Sequence, residues 1–274
     1  MRVAVVGHVE WVQFARVERV PRPGEIVHAL EAWEEAGGGG AVAAVQLVKL
    51  AGAADFFTAL GDDELGRRAL AQLSGAGADV HVAWRPQPQR RALTFTDSRA
   101  ERTITLIGDR LAPGGGDPLP WERLSGADAV YFTAGDPDVL RAARRARTLV
   151  ATPRARDALS QARVALDVLV RSGSDAGETV TTGEIEPRPA LEVATQGERG
   201  GSYVRADGRT GRFPAAPLPG PPVDAYGCGD SFAAGLTFAL GRGNELEDAL
   251  GLAARCGAAC LAGRGPYAGQ FRLA

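Results

Sequence analysis

Asp224-Ala225-Tyr226-Gly227-Cys228-Gly229-Asp230 runs directly into Ser231-Phe232-Ala233-Ala234-Gly235-Leu236, an apolar stretch with helical spacing. Two glycines flank one small residue, and an aspartate falls in the first turn of the predicted helix. Backbone N–H groups can converge on an anion at such a turn, and the helix dipole adds positive potential at the same place. A carboxylate there is repelled by a phosphate unless it has a task of its own. Accepting a proton from an attacking hydroxyl is such a task, so the stretch suggests phosphoryl transfer to an alcohol. Taken alone, Gly-x-Gly-Asp before a helix is more often a tight turn whose carboxylate favours the dipole. Asp224 lies six residues ahead of Asp230 and adds a second carboxylate that can sit near phosphates or a cation.

On either side of this stretch the chain alternates between strand and helix patterns. Val3–Val6 is a short apolar run ending at Gly7, as a buried parallel strand should be. Residues 41–50 predict a helix, opened by Gly37 to Gly40; Phe56–Leu60 predicts a strand, 63–76 a helix and Val80–Trp84 a strand. Residues 91–107 then read as a β-hairpin, Ala92–Thr96 and Thr103–Ile107 around a polar turn. Further strands are expected at 129–132, 148–151, 168–170 and 191–195, separated by helix-length segments. Residues 212–223 are Pro-rich and read as an extended loop. Two helices close the chain, the second opened by a capping-box-like Asn244 and Glu247. Strand–helix alternation implies a parallel sheet covered on both faces. One domain over residues 1–274 with a small β excursion is the expected organisation.

The composition excludes several function classes. With 31 basic and 33 acidic residues the net charge is −2, so nothing points to nucleic acid or an anionic membrane. No apolar run approaches the roughly 20 residues needed to span a bilayer. The first residues read as a strand, too short for a signal peptide. Three cysteines without CxxC spacing fit a reduced, cytoplasmic setting. No GxxxxGK[ST] loop occurs, and Lys49, the only lysine, falls in a predicted apolar helix, which argues against Schiff-base chemistry. Cys256 and Cys260, one helical turn apart, read as core packing.

Four segments together resemble the PfkB or ribokinase-like carbohydrate kinases. Asp224 to Asp230 is similar to that family's C-terminal Asp-Thr-x-Gly-Ala-Gly-Asp, with Ala225 and Cys228 in place of Thr and Ala. Gly38-Gly39 resembles its N-terminal substrate loop, and Gly61-Asp62-Asp63-Glu64-Leu65-Gly66 its Gly-Asp-Asp-x-x-Gly stretch. Thr195-Gln196-Gly197-Glu198-Arg199-Gly200 resembles the Thr-x-Gly-x-x-Gly nucleotide loop. The four stand in the family's order and spacing across essentially the whole chain.

The resemblance implies a three-layer α/β/α core with a mostly parallel sheet and a β-sheet lid, here about 13–36 and 88–108. It implies ATP along the sheet edge with Mg²⁺ on its phosphates, and leaves a monovalent-cation requirement open. Asp230 is then the base toward a sugar hydroxyl, with the N–H groups of Gly227, Cys228 and Gly229 holding the developing charge. Gly38 and Gly39 bind the acceptor; Thr195, Gly197, Gly200 and Asp224 serve the nucleotide. Asp175 and Glu178 stand where the family carries Asn-x-x-Glu, which places Glu178 on Mg²⁺ through water, although a solvated acidic turn explains them almost as well. Lid-mediated homodimers occur among relatives, and the apolar lid positions permit one.

The sugar site departs from the family pattern. Val12 stands at the usual aspartate and Ala43 at the usual asparagine, with Glu10 as the nearest substitute acid and His8 beside it as a satisfied strand-end histidine. The acceptor is therefore left open, and a ligand-binding relative without efficient catalysis is an alternative. A dinucleotide-binding reading of Gly38 to Ala43 as GxGxxA is disfavoured, because residues 31–35 are a poor buried strand.

Overall fold

The computed structural model describes residues 1–181 and 183–273. Val3–Val6 (β1) is buried along its length, and its alternating side chains serve two separate cores. Val3 and Val5 face one layer of helices, Ala4 and Val6 the other. A strand apolar on both faces belongs in the middle of a parallel sheet. In the same sheet lie Ala54–Gly61 (β4), Ala78–Arg85 (β5), Ala129–Phe132 (β8), Thr148–Ala151 (β9) and Val168–Ser172 (β10). Leu191–Thr195 (β11), Gly201–Arg205 (β12) and Thr210–Phe213 (β13) complete it. The order of its nine strands is β13-β12-β11-β10-β9-β8-β1-β4-β5, parallel except at β12, which is antiparallel to both of its neighbours.

One face of the sheet carries Gly39–Ala51 (α1), Glu64–Gly75 (α2), Cys228–Gly241 (α6) and Leu246–Leu261 (α7). The other carries Glu122–Ser125 (α3), Pro137–Ala143 (α4) and Arg156–Ala162 (α5). The middle helices α1 and α6 are apolar on nearly every side because each is covered by sheet and by other helices. This is the expected three-layer α/β/α arrangement. Among the described residues no helix is long and apolar enough to cross a membrane.

Every strand expected from the sequence is present, several of them slightly longer. The hairpin of β12 and β13 is additional; its Asp207-Gly208 turn is the signal that marks it. Arg212 and Phe213, expected in a loop, are the end of β13. The start of α7 also differs: Glu245 occupies the N-cap and makes no side-chain cap bond, so the capping box at Asn244 does not form.

A second sheet of four strands, in the order β3-β2-β6-β7, is built from Glu10–Arg16 (β2), Glu31–Gly37 (β3), Arg91–Thr96 (β6) and Arg102–Ile107 (β7). The segments expected to form the lid fall in this sheet, which begins three residues earlier, at Glu10, and is termed the lid; β2 and β6 are parallel and the outer pairs antiparallel. Residues 31–37 are a strand after all, but a half-exposed edge strand of the lid. The GxGxxA segment therefore lacks the buried parallel strand that a dinucleotide fold requires. The lid rests on a small core of Val12, Phe14, Val42, Ala92 and Tyr226, in which Phe14 stacks on Trp33 at 4.9 Å.

The Gly61 to Gly66 stretch ties the main sheet to the segment entering β6. Asp63 caps α2 by accepting from Gly66 N–H at 2.8 Å, and its other oxygen accepts from Gln89 N–H at 2.8 Å. Gly66 has no room for a side chain, since a Cβ there would lie 2.0 Å from the Gly61 carbonyl oxygen. Asp63→Ala removes both bonds together. The expected loss is roughly 2–4 kcal/mol of unfolding free energy, from a missing cap and an unsatisfied N–H. Urea denaturation of the two proteins side by side measures it.

Candidate active site

The carboxyl ends of β1, β8, β10 and β11 share one edge of the sheet, the usual ligand crevice of a parallel α/β fold. Two helices start there. Gly38 precedes α1 with φ +87°, and its N–H donates to the Tyr226 hydroxyl at 2.9 Å. Gly227 precedes α6 with φ +80°, and a Cβ on it would lie 2.9 Å from Val42 Cγ1. The first bond along α6 runs from Ser231 N–H to Gly227 O at 2.9 Å. The N–H groups of Cys228, Gly229 and Asp230 thus lack intrahelical acceptors. Gly229 faces open space: a Cβ there would meet nothing within 4 Å. An anion can approach this turn on bare backbone.

Asp230 is half-buried on the first turn of α6. Its Oδ1 would be 2.7 Å from a Cβ on Gly39, with Thr133 Oγ1 on the same spot at 3.2 Å. Burial pushes the carboxyl up to about 6, and the charge of Glu178 adds to this, while Arg102 and Arg154 oppose it. A carboxylate of that affinity is ionised at neutral pH and can still accept a proton in a transition state.

Asp224 is fully buried and turned away from the crevice. Its oxygens accept from Tyr226 N–H at 2.9 Å and Gly265 N–H at 3.2 Å, fixing the shape of the loop. Cys228 Sγ points back to the Asp224 carbonyl at 3.9 Å and Cys260 Sγ donates to the Tyr226 carbonyl at 3.4 Å, so both thiols face the loop's inner side. The lid touches the same loop. Ala225 N–H donates to Ala100 O at 3.1 Å, and Arg102 donates to Ala225 O at 2.8 Å.

Glu10 is buried at the start of β2, with His8 Nε2 at 3.8 Å and Arg90 Nε at 3.5 Å. Burial raises its carboxyl against the charges of Arg90, Arg110 and Arg154. His8 is not the satisfied histidine expected: its buried Nδ1 has no hydrogen-bond partner. Burial and the charges of Arg110, Arg90 and Arg154 hold its pKa well below the usual histidine range, so the ring is neutral. Val12 and Ala43 lie in apolar interior, under the lid and within α1 respectively.

Across the crevice, Asp175 and Glu178 frame a short turn after β10. Arg154 bonds both, reaching Glu178 Oε1 at 2.8 Å, and Glu178 Oε2 accepts from Ser172 N–H at 2.6 Å. Thr195 ends β11, and its hydroxyl donates to Arg171 O at 3.4 Å. Gly197 and Gly200 both have positive φ, and a Cβ on Gly200 would lie 2.1 Å from Phe213 O. Sequence reasoning missed Arg90, Arg110, Arg154 and Tyr226. Tyr226 sits inside the quoted motif, whereas the arginines carry no local pattern that separates them from the other basic residues. A separate group of Asp55, Asp79 and His81 lies near the opposite ends of β4 and β5, where Arg123 bonds both carboxylates.

A half-buried carboxylate beside an open helix N-terminus, under a β lid and at the carboxyl edge of a parallel sheet, defines a sugar-kinase type of phosphotransferase. Residues 1–270 match the profile of the pfkB family of carbohydrate kinases, and the chain belongs to that family. It is 29% identical over 280 residues to an ATP-dependent ribose-1-phosphate kinase of Halopiger xanaduensis, covering 94% of this chain and 91% of the relative. The ribokinase of Giardia lamblia superposes with a TM-score of 0.80 at 17% identity, covering 99% of this chain and 96% of the other. Arabidopsis thaliana ribokinase, solved with ribose and ATP, gives 0.74 at 21% identity, covering 98% and 96%. These two establish the fold.

Because the Asp230 carboxyl titrates near 6 when folded and near 3.8 in a free chain, ionising it costs folding free energy. The native state binds the proton more tightly, so that cost is absent well below pH 4 and complete above pH 6. Asp230→Asn therefore melts at a higher temperature than the parent at pH 8. The gap shrinks as pH falls below about 6, which paired thermal scans across pH will show.

Proposed function

We propose that the protein transfers the γ-phosphoryl group of ATP to a hydroxymethyl group of a sugar-like acceptor. The observation that carries this reading is the Asp230 carboxylate, placed against the Gly39 loop on the same first turn of α6 as three N–H groups without intrahelical acceptors. The acceptor oxygen attacks γ-phosphorus, the bond to the β-phosphate oxygen breaks, ADP leaves, and the hydroxyl proton passes to Asp230. Glu10 and the backbone at Gly38 and Gly39 orient the acceptor. The N–H groups along Gly227, Cys228 and Gly229 stabilise the charge that builds on the transferring group. Asp224 serves as the brace of this loop rather than as a phosphate ligand.

Thr195, Gly197 and Gly200 shape the nucleotide edge, where the small residues and exposed backbone suit a flat base and ribose. The carboxylates of Glu178 and Asp175 supply the hard oxygen donors that Mg²⁺ prefers, and Glu178 would hold it through water once Arg154 turns to a phosphate. Bound there, the ion neutralises phosphate charge. Three free cysteines and the use of ATP support work in the cytoplasm. The exposed Ile104, Leu106 and Ile107 on the edge strand β7 support a lid-mediated homodimer.

Asp230→Asn tests the reading through product formation from MgATP over a broad panel of sugars, sugar derivatives and nucleosides. The expected drop in kcat is about 10²–10⁴-fold, with the acceptor KM changed far less. The parent's kcat/KM falls about tenfold per pH unit below 6. An equally active Asp230→Asn protein refutes the assignment. Acceptor binding without turnover by the parent protein favours the ligand-binding alternative.

A further inference from the structure

We propose that Cys228 and Cys260 form a modification site, a thiol pair that a hydroperoxide oxidises to a disulfide, distorting the turn ahead of α6 and switching the site off until a thiol reductant restores it. The loss of activity rests on the kinase reading of that turn; the disulfide itself does not.

The two cysteines are 32 positions apart and meet where α6 and α7 pack together. Cys228 is the first residue of α6, and Cys260 lies in the last turn of α7. A Cβ on Gly257 would lie 3.3 Å from the Cys228 carbonyl oxygen, and Cys260 follows Gly257 by three residues on the same face of α7. Cys260 Sγ is 3.4 Å from the Tyr226 carbonyl and 3.7 Å from the Pro266 carbonyl, while Cys228 Sγ is 3.9 Å from the Asp224 carbonyl. Both sulfurs therefore lie against one short loop. The two thiols also share a hydrogen bond.

The third cysteine supplies the contrast. Cys256 is fully buried and packed on Gly235, where a Cβ would lie 2.7 Å from its Sγ. Burial pushes its thiol up to about 12, so it stays protonated and inert. Cys228 is only half-buried, and its neighbour Gly229 faces open space. The hydrogen bond from Cys228 holds the Cys260 thiol below the usual range. A thiolate supported by an adjacent S–H, with one of the two sulfurs within reach of a small solute, oxidises selectively. The phosphoryl transfer proposed above uses the Cys228 N–H and neither sulfur.

The oxidation needs only the pair and the peroxide. Once the pair has shed a proton to water, transfer of the remaining proton to Cys260 leaves the charge on Cys228. The Cys228 sulfur attacks the terminal peroxide oxygen and the O–O bond breaks. The leaving oxygen takes a proton from water, and Cys228 becomes a sulfenic acid. Cys260 Sγ then attacks that sulfur: the S–S bond forms, the S–O bond breaks, and hydroxide leaves as water with the Cys260 proton. Two electrons have passed from the thiols to the peroxide, and a thiol reductant returns them by exchange. The new bond draws Cys228 toward α7 and removes the Cys260 hydrogen bond to Tyr226 O, beside the residue whose hydroxyl accepts from Gly38 N–H. Donors at Cys228 and Gly229 shift with the backbone, and a shift of about 1 Å is enough to cost two orders of magnitude in rate.

Peroxide treatment of the intact reduced protein, followed by alkylation and tryptic digestion, reads the pairing from peptide masses with no need for turnover. A cross-link between Cys228 and Cys260 is expected, with Cys256 alkylated. Cys256 and Cys260 share a tryptic peptide, so fragmentation locates the bonded sulfur. In parallel, kcat with MgATP and the fastest acceptor of the panel should fall by roughly 10²–10³-fold and recover on addition of dithiothreitol. Cys260→Ala should keep its activity through the same treatment, and Cys256→Ala should respond as the parent does; thermal melting checks that both are folded. Absence of the Cys228–Cys260 cross-link overturns the proposal. So does a cross-linked protein with full activity, a loss that dithiothreitol does not reverse, or an equal loss in folded Cys260→Ala. If the reduced parent forms no product from any acceptor and Asp230→Asn changes nothing, it is the kinase reading that fails, and the cross-link alone decides the thiol site.

Discussion

The site depends on a crossing of backbones that leaves no space for side chains. Where β1 ends and α1 begins, a Cβ on Gly7 would lie 2.6 Å from Gly40 Cα, and one on Gly40 would lie 2.8 Å from Gly7 Cα. A Cβ on Gly39 would collide with the Asp230 carboxylate. Three elements far apart in the chain can therefore meet within van der Waals contact only because these positions are glycine. Alanine at Gly40 would push α1 away from the sheet. The bond from Gly38 N–H to Tyr226 would then be lost, and with it the registry between the Gly38–Gly40 segment and the turn at Gly227.

That crossing also explains why so much was legible in the sequence. The glycines stand in short motifs, and the strands beside them are continuous apolar runs, so both the parallel sheet and the glycine turn ahead of α6 announce themselves locally. The lid hairpin at 91–107 was readable for the same reason, through its alternation. Long-range pairing was not readable. Asp224 looks like a ligand in the sequence, because its recipients, Tyr226 N–H and Gly265 N–H, include a residue 41 positions away. Glu31 to Glu35 looks unlike a strand because only one face is covered, which an edge strand tolerates. His8 passes for a satisfied histidine until the arginines are brought beside it, and those arginines come from three separate segments. Spacing cannot report such a meeting.

Electrostatically the cleft is assembled against its own stability. Burial raises the Asp230 carboxyl, Glu178 and Glu10 raise it further, and Arg110 lies within the repulsive field of Arg90 and Arg154. A folded chain without ligand keeps these charges apart from water with incomplete pairing, and a packed apolar cleft would be more stable. The arrangement makes sense when its missing charges arrive with the substrates. On the proposed reading, nucleotide phosphates between Arg154 and the α6 N-terminus would replace like-charge stress with attraction. Binding would then supply the compensation that folding alone lacks, at a loop that the lid already contacts through Arg102 and Ala100. Val12 and Ala43 add nothing to this electrostatics: one is packed under the lid and the other within α1, both in apolar interior.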